Sequence, residues 1–144
     1  RTLGSRSILN TLSSLAALGE PKVRGSLWQS LATKEELTKK TFDHKANRKS
    51  QWAYRELKAF LQYVLEEEID PTSVNGSYAG ALGIPQFMPT NIGHYAKDGN
   101  GDGSIDLFNH SHTQASIANG LKKNVFKPAM GQKKKKKINN YYKS

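Results

Sequence analysis

Residues 98–109, DGNGDGSIDLFN, form an acidic, glycine-rich segment with the spacing of a calcium-binding loop of the EF-hand type. Such a loop needs side-chain oxygens at positions 1, 3 and 5, a glycine at position 6 for its sharp turn, a carbonyl at position 7 and a bidentate carboxylate at position 12. The residues at these positions are Asp98, Asn100, Asp102, Gly103, Ser104 and Asn109. The segment therefore predicts a calcium site.

Position 12 departs from this pattern, because Asn109 offers one neutral oxygen where a glutamate would offer two charged ones. Asp106, at position 9, can contribute directly or through a water molecule. We therefore predict a structural calcium ion that is bound weakly, with a Kd of about 10⁻⁴ to 10⁻³ M. The alternative is a metal-free turn of Asx and Gly residues that joins two helices.

Three histidines, His94, His110 and His112, lie close to this loop in the sequence. Histidine nitrogens suit zinc and similar metals, whereas the loop offers hard oxygen ligands. We expect all three to be surface residues.

Hydrophobic spacing predicts the helices that would hold the loop and the segment before it. Apolar residues recur at helical intervals over residues 8–18, and one or two further helices are expected within residues 25–40. The strongest pattern predicts a helix over residues 51–68, which ends before Pro71. Its apolar stripe comprises Trp52, Leu57, Phe60, Leu61, Val64 and Leu65. Glu56 lies beside this stripe, where a buried carboxylate needs a partner such as an arginine.

Two shorter helices are expected towards the C-terminus. Thr90 or Asn91 can cap a helix that runs to about residue 96. The last helix is predicted over residues 113–123. Its predicted apolar face comprises Ala115, Ile117, Ala118 and Leu121. No alternating pattern is long enough to predict a sheet, so the expected fold class is mainly α.

The charge of the chain is concentrated at its C-terminal end. The formal net charge is +10, from 22 Lys and Arg against 12 Asp and Glu. Residues 127–144 hold seven of the lysines and no acidic residue, which leaves 15 basic and 12 acidic residues, a net charge of +3, in residues 1–126. We predict a folded part over residues 1–126 and a basic, disordered tail over residues 127–144. A tail that binds an acidic glycan, nucleic acid or anionic lipid is the alternative.

Composition excludes some classes of site. The chain has no cysteine, which excludes disulfides and thiolate metal sites, and no run of about 20 apolar residues that would predict a membrane span.

The run GSYAGALGIPQFMP at residues 76–89, the acidic loop after it and ASIAN at residues 115–119 together resemble the membrane-bound lytic murein transglycosylase B family. Three earlier segments agree: RTLG at residues 1–4, ILNTLSSLA at residues 8–16 and RELKAFL at residues 55–61. The likeness covers residues 1–126 in order.

The resemblance implies a helical, lysozyme-like catalytic domain, here partial, from an enzyme that cleaves the β-1,4 bond between MurNAc and GlcNAc in peptidoglycan. In this family one glutamic acid protonates the leaving oxygen and then takes a proton from the muramic C6 hydroxyl, which closes a 1,6-anhydro ring. The internal nucleophile removes the need for a second carboxylate. The family's catalytic glutamate lies a few residues before the segment that here begins at Arg1. We therefore expect the parent to be an enzyme and this chain alone to be inactive.

The resemblance also implies which residues meet the substrate. Ser77 and Gln86 would bond the sugar or the catalytic glutamate, with Tyr78 and Phe87 lining the site and Asn119 near the cleft. The alternatives are packing of a tight turn for Ser77 and Tyr78, and a structural or capping amide for Asn119. The family tends to carry an aromatic ring where this chain has a glycine, at position 120.

Two other functions remain open from the sequence: a non-catalytic module that binds peptidoglycan or is stabilised by calcium, and a polyanion binder that acts through the tail. The expected partner is the peptidoglycan glycan strand, with no nucleic acid. We expect a monomer in the bacterial cell envelope, in the periplasm, and a lipid anchor in the full-length parent stays open.

Overall fold

The computed structural model describes residues 4–31 and 38–123 and is mainly helical over them. In chain order the elements are β1 (Arg6–Ser7), α1 (Ile8–Ala16), a 3₁₀ turn (Ala17–Gly19), α2 (Pro21–Leu31), α3 (Lys39–Glu66), β2 (Asn75–Gly76), α4 (Pro89–Tyr95) and α5 (His110–Leu121). The predicted tail lies outside the described residues. Every described helix is too short or too polar to span a lipid bilayer. The chain divides into two compact units, Arg1–Ile92 and Gly93–Ser144.

The core of the first unit is formed where α1 packs on α3. Ile8 and Leu12 of α1 and Phe60 of α3 are fully buried. Ser50 of α3 donates a hydrogen bond from Oγ to the carbonyl oxygen of Ala16 at 2.6 Å, which satisfies one of the free carbonyls at the end of α1. The predicted first helix is thus confirmed, with its last turn tightened into a 3₁₀ turn.

Helix α3 begins twelve residues before the predicted start at residue 51, and Thr38 caps it by accepting a hydrogen bond from the N–H of Thr41. Its early turns bury small or isolated apolar residues, such as Phe42 and Ala46, between lysines and arginines. Two apolar residues among so many charged ones are too few to predict an amphipathic helix from the sequence. The Trp28 ring of α2 packs against Phe42 in a tilted arrangement, with ring centroids 5.3 Å apart, so tertiary packing supports this part of the helix.

The buried face of α3 is rotated from the predicted stripe. Phe60 and Val64 are buried as predicted, but Leu61 is 42% exposed and Leu65 is 79% exposed. The face instead continues through residues that are smaller or more polar than those of the predicted stripe. These are Ala46, Ser50, Ala53, Glu56 and Tyr63.

A short antiparallel array, which the sequence did not predict, links the start of α1 to the segment that resembles the transglycosylase family. β1 pairs with β2, so that Arg6 lies opposite Gly76. Two single β-bridges extend this pairing, the first between Gly76 and Leu82 and the second between Leu82 and Phe87. Only a glycine fits at position 76 without a shift of its neighbours, because a Cβ there would lie 2.3 Å from both the Ala81 oxygen and the Ile8 Cδ1 atom. This array fixes the backbone on both sides of residues 77–86.

Helix α4 contains the boundary between the units and begins at Pro89, one residue before the predicted caps, consistent with the preference of proline for a first helical position. In the second unit, α5 starts at His110, three residues before the prediction, because Asn109 caps it. Its predicted apolar face is wrong, since Ile117 and Leu121 are 43% and 51% exposed. The buried residues of α5 are His112, Thr113 and Ser116.

Candidate functional site

Ser77 organises the turn that follows β2. Its Oγ accepts hydrogen bonds from the N–H groups of Ala79 and Ala81, at 3.3 and 3.0 Å, and its own N–H donates to the Ala81 oxygen at 2.8 Å. These bonds agree with the structural role considered for this residue. They use the hydroxyl only as an acceptor, and no protein acceptor for its proton lies within hydrogen-bond distance among the described residues. The hydroxyl can therefore donate to a ligand.

Tyr78 carries a largely solvent-exposed ring, 80% accessible, beside a groove of about 430 Å³. The groove runs along the polar face of α1, opposite Ile8 and Leu12. Hydroxyl and amide side chains supply most of its wall: Ser7, Asn10, Thr11 and Ser14. An exposed aromatic ring beside such groups is a combination that suits a sugar.

Sequence reasoning did not identify these α1 residues as part of a candidate site. Their signal was a polar stripe with the spacing 7, 10, 11 and 14, which places the four side chains on one helix face. Such a stripe is also what the solvent side of any amphipathic helix shows, so the spacing alone does not indicate a site. The position of Tyr78 beside it depends on the pairing of β1 with β2, which the sequence did not predict.

Gln86 and Phe87 lie at the far end of the same turn. Gln86 is exposed and has a left-handed backbone, with φ at 52°, which is uncommon for a residue other than glycine. Its Nε2 donates to the Gly83 oxygen at 2.8 Å, which holds the side chain against its own turn. Phe87 is half-buried, and its backbone exchanges two hydrogen bonds with Leu82. The substrate contacts of these two residues stay predictions.

Glu56 is the only buried acidic side chain among the described residues. The sequence suggested a partner such as an arginine, but the partner in the structure is Thr90, at the start of α4. The Thr90 N–H donates to Oε2 at 3.0 Å and the Thr90 hydroxyl donates to Oε1 at 2.9 Å. Glu56 thereby satisfies a free N–H at a helix start and holds the chain directly after residues 86–89.

The acidic loop of the second unit folds around the carboxylates of Asp98 and Asp102. Asp98 Oδ1 accepts from the N–H of Gly101 at 2.6 Å and Oδ2 accepts from the N–H of Gly103 at 2.8 Å. Gly103 has a φ of 84°, as a sharp turn at position 6 requires. Hydrogen bonds to backbone N–H groups, that of Gly103 first, lower the pKa of Asp98 below 3.8, its ordinary value. The Ser104 N–H, ahead of the Asn100 side chain, lowers the pKa of Asp102 in the same way.

Asn109, the last residue of this loop, precedes α5, and His112 lies in the first turn of that helix. The Oδ1 atom of Asn109 accepts from the N–H and the hydroxyl of Ser111, at 2.9 and 2.8 Å, and so serves as the helix cap. His112 was expected at the surface but is 1% exposed. Possible ligand atoms of Asp98, Asp102 and His112 lie within 4.8 Å of one another. The prediction missed His112 because it lies three residues beyond the twelve-residue loop.

Asn119 and Gly120 lie on α5 in the second unit. Asn119 donates from Nδ2 to the Tyr95 oxygen at 3.1 Å, which is the structural role that the sequence left open. A Cβ at Gly120 would have ordinary contacts with the ring of Tyr95, at 3.7 Å and beyond.

The comparisons with known proteins agree on one family. The family model described as the transglycosylase SLT domain matches residues 1–143. The membrane-bound lytic murein transglycosylase B of Escherichia coli is 40% identical over 75 residues, which are 52% of this chain and 21% of that protein.

Solved structures with the same fold come from lytic transglycosylases. The Escherichia coli enzyme Slt35, in complex with calcium, has a TM-score of 0.63 and 29% identity over 85% of this chain and 31% of its own. SltB3 from Pseudomonas aeruginosa, in complex with NAG-NAM-pentapeptide, has a TM-score of 0.58 and 25% identity over 84% of this chain and 25% of its own. The chain thus spans roughly a fifth to a third of the length of these relatives.

Proposed function

Because the chain belongs to the transglycosylase SLT domain family, we propose that it forms part of an enzyme that cleaves the MurNAc–GlcNAc bond of peptidoglycan and leaves a 1,6-anhydro product. Its place of action would be the bacterial cell envelope, in the periplasm. This part of the enzyme supplies one wall of the sugar site, through Ser77, Tyr78, Gln86 and Phe87 in the first unit. The substrate contact predicted for Asn119, which belongs to the second unit, is a separate proposal and is not part of this wall.

The general acid is assigned to a glutamate of the parent that precedes Arg1, as the family resemblance implies. Glu56 is an unsuitable substitute, because both of its oxygens accept hydrogen bonds from Thr90 and the carboxylate is buried. An acid for glycoside cleavage must instead reach the leaving oxygen with a proton to donate.

The observation that carries the proposal is the polar groove beside Tyr78. The exposed ring offers an apolar face for a sugar, and the hydroxyl and amide groups of α1 offer hydrogen bonds. The neighbouring Ser77 hydroxyl adds a donor with no acceptor within the described part of the chain. A saccharide needs such dispersed polar contacts together with an aromatic surface.

We also propose that the acidic loop holds a structural calcium ion. Its donors are oxygens, which calcium prefers: the side chains of Asp98, Asn100 and Asp102 and the backbone carbonyl of Ser104. Asn109 is not included in the proposed set, because its Oδ1 caps α5. The smaller ligand number supports the weak affinity predicted from the sequence. When bound, the ion would fix the loop that precedes α5.

Co-sedimentation with purified peptidoglycan tests the sugar site. Tyr78→Ala should weaken binding by roughly two- to tenfold, the size of one aromatic contact. Tyr54→Ala is the matched control, since Tyr54 is also exposed, at 65%, but lies on α3 and does not line this groove. Equal binding by the two variants would contradict the proposed site.

Muropeptide release separates an enzyme fragment from a non-catalytic module. The full-length parent should release 1,6-anhydro products from peptidoglycan, whereas this chain alone should bind without releasing them. A parent that releases none would favour the binding module. Anhydro products from this chain alone would refute the assignment of the acid to the preceding segment.

A further inference from the structure

His112 is a buried side chain with one satisfied and one unsatisfied ring nitrogen. Its Nδ1 accepts a hydrogen bond from the Asp106 N–H at 3.2 Å. Its Nε2 has no hydrogen-bond partner in the described part of the chain, although the ring is 1% exposed. A buried polar atom without a partner is rare in folded proteins and calls for an explanation.

The bond at Nδ1 determines which nitrogen carries the ring proton. A backbone N–H can only donate, so Nδ1 must present its lone pair, and the proton of the neutral ring is then on Nε2. The Nε2 atom is therefore a donor without an acceptor in the described part of the chain.

The acidic loop offers a carboxylate acceptor close to this atom. Nε2 lies 3.9 Å from Oδ2 of Asp102, which is beyond hydrogen-bond distance but allows a direct bond after a shift of about 1 Å. Asp102 Oδ2 accepts at present from the side-chain amide of Asn100 at 2.8 Å, and a carboxylate oxygen can accept a second donor. The ring is thus bonded to the loop at Nδ1, through the Asp106 N–H, and lies near the Asp102 carboxylate at Nε2.

We propose that His112 is a positioning residue of the acidic loop, whose Nε2–H orients the Asp102 carboxylate for a divalent cation while the ring itself stays outside the ligand set. The inference rests on the proposed calcium function of the loop. A direct ligand would need a free lone pair on Nε2, which the bond from Asp106 to Nδ1 opposes. Donors of this kind fix metal-binding carboxylates, and their loss commonly lowers metal affinity by about 10- to 100-fold.

The first test is a long-range ¹H–¹⁵N spectrum of the full chain with ¹⁵N-labelled histidine. Without cation, His112 should show the tautomer protonated on Nε2, and the signal of that proton should move in Asp102→Asn, which weakens the acceptor. A proton on Nδ1, or a signal that Asp102→Asn leaves in place, would overturn the proposal. This readout does not depend on whether calcium binds.

The second test is calorimetric titration with calcium and with zinc, on the full chain. His112→Leu should lower calcium affinity by about tenfold or more, and His112→Gln, which can keep an N–H donor near the position of Nε2, should restore most of it. Thermal unfolding without cation monitors whether either variant folds. Zinc binding that exceeds calcium binding and is lost in His112→Gln would make His112 a ligand and overturn its proposed role. If the unmodified chain binds no calcium at millimolar concentration, the calcium function fails, and the spectrum still decides the contact with Asp102.

Discussion

Glu56 illustrates how the first unit accommodates a buried charge with two hydrogen bonds from one residue. Both donors belong to Thr90, so the interaction joins the middle of α3 to the start of α4. Hydrogen bonds to a charged group contribute more than neutral ones, and an unsatisfied buried partner is costly.

Glu56→Ala should lower the free energy of unfolding by about 1.5 to 3 kcal/mol, since the Thr90 N–H then loses its acceptor. Denaturant unfolding followed by circular dichroism measures the change. Glu66→Ala is the matched control: Glu66 lies near the exposed end of the same helix, bonded only to Gln62 among the described residues, and should change stability by about 0.5 kcal/mol or less. Equal losses of stability in the two variants would refute a stabilising role for the hydrogen bonds between Glu56 and Thr90.

Asp70 provides a pH-dependent contact in the turn after α3. The Thr72 hydroxyl and N–H donate to its Oδ1 at 2.8 and 2.9 Å. The hydroxyl first, and then the N–H, lower the pKa of Asp70 below 3.8. Because the pKa is lowered by folding, the stabilisation is complete above pH 3.8 and is lost as the pH falls through the folded-state value.

Thr72→Ala should raise the pKa of Asp70 towards 3.8 without reaching it, because the backbone N–H remains. A ¹³C titration of the Asp70 carboxyl measures this shift. Ser73→Ala serves as the control, since the Ser73 hydroxyl donates to the backbone oxygen of Asp70 and not to its carboxylate. A pKa that rises equally in both variants would contradict the assigned cause.

At the scale of secondary-structure elements, Gly76 and Gly25 differ in whether their surroundings can accommodate a side chain. A side chain at Gly76 would overlap the Ala81 oxygen and Ile8. Gly25 lies inside α2, and beyond its chain neighbours and its own helix backbone no atom of the described residues comes within 4 Å of its Cβ position. Gly76→Ala should cost about 1 to 3 kcal/mol through overpacking. Gly25→Ala should raise stability by about 0.5 to 1 kcal/mol, because alanine favours a helix. Thermal unfolding of the two variants measures both effects, and a neutral Gly76→Ala would show that the array of β1 and β2 does not require this contact.

The helices show which features of the fold were predictable from the sequence. α1 was, because Ile8 and Leu12 repeat at helical spacing with no competing charge. The start of α3 was not, because Phe42 and Ala46 are separated by lysines and arginines and are buried by contacts with other elements, such as Trp28. The pairing of β1 with β2 involves two residues in each strand, too few to form an alternating pattern.

The candidate site was predictable to a similar extent. Family likeness and loop spacing identified residues 76–89 and 98–109. The groove beside Tyr78 could not be derived, because it depends on the pairing of β1 with β2, which are far apart in sequence. The placement of His112 could not be derived either, because it depends on how the acidic loop folds back onto the first turn of α5. Local periodicity contains no information on such contacts.

At the scale of the whole molecule, the distribution of positive charge decides between a glycan binder and a general polyanion binder. Residues 127–144 carry seven lysines, but α3 also exposes a basic groove of about 470 Å³. Its cations are Lys45, Arg48, Lys49 and Arg55, and no carboxylate lies within 4.0 Å of them among the described residues. Lys49 also lies over the Trp52 ring, 4.2 Å from its centroid.

Deleting residues 127–144 should therefore affect the two classes of ligand differently. Affinity for peptidoglycan should stay within about threefold, because the groove beside Tyr78 is lined mostly by hydroxyl, amide and aromatic groups, and its own cation, Arg6, remains after the deletion. Affinity for heparin or DNA should fall by about tenfold or more at low salt, and its salt dependence should become shallower, since fewer lysines release counterions. Co-sedimentation and a salt series on the full and shortened chains measure both responses. Lost peptidoglycan binding would support the polyanion hypothesis instead, whereas unchanged heparin binding would assign that activity to the basic groove on α3.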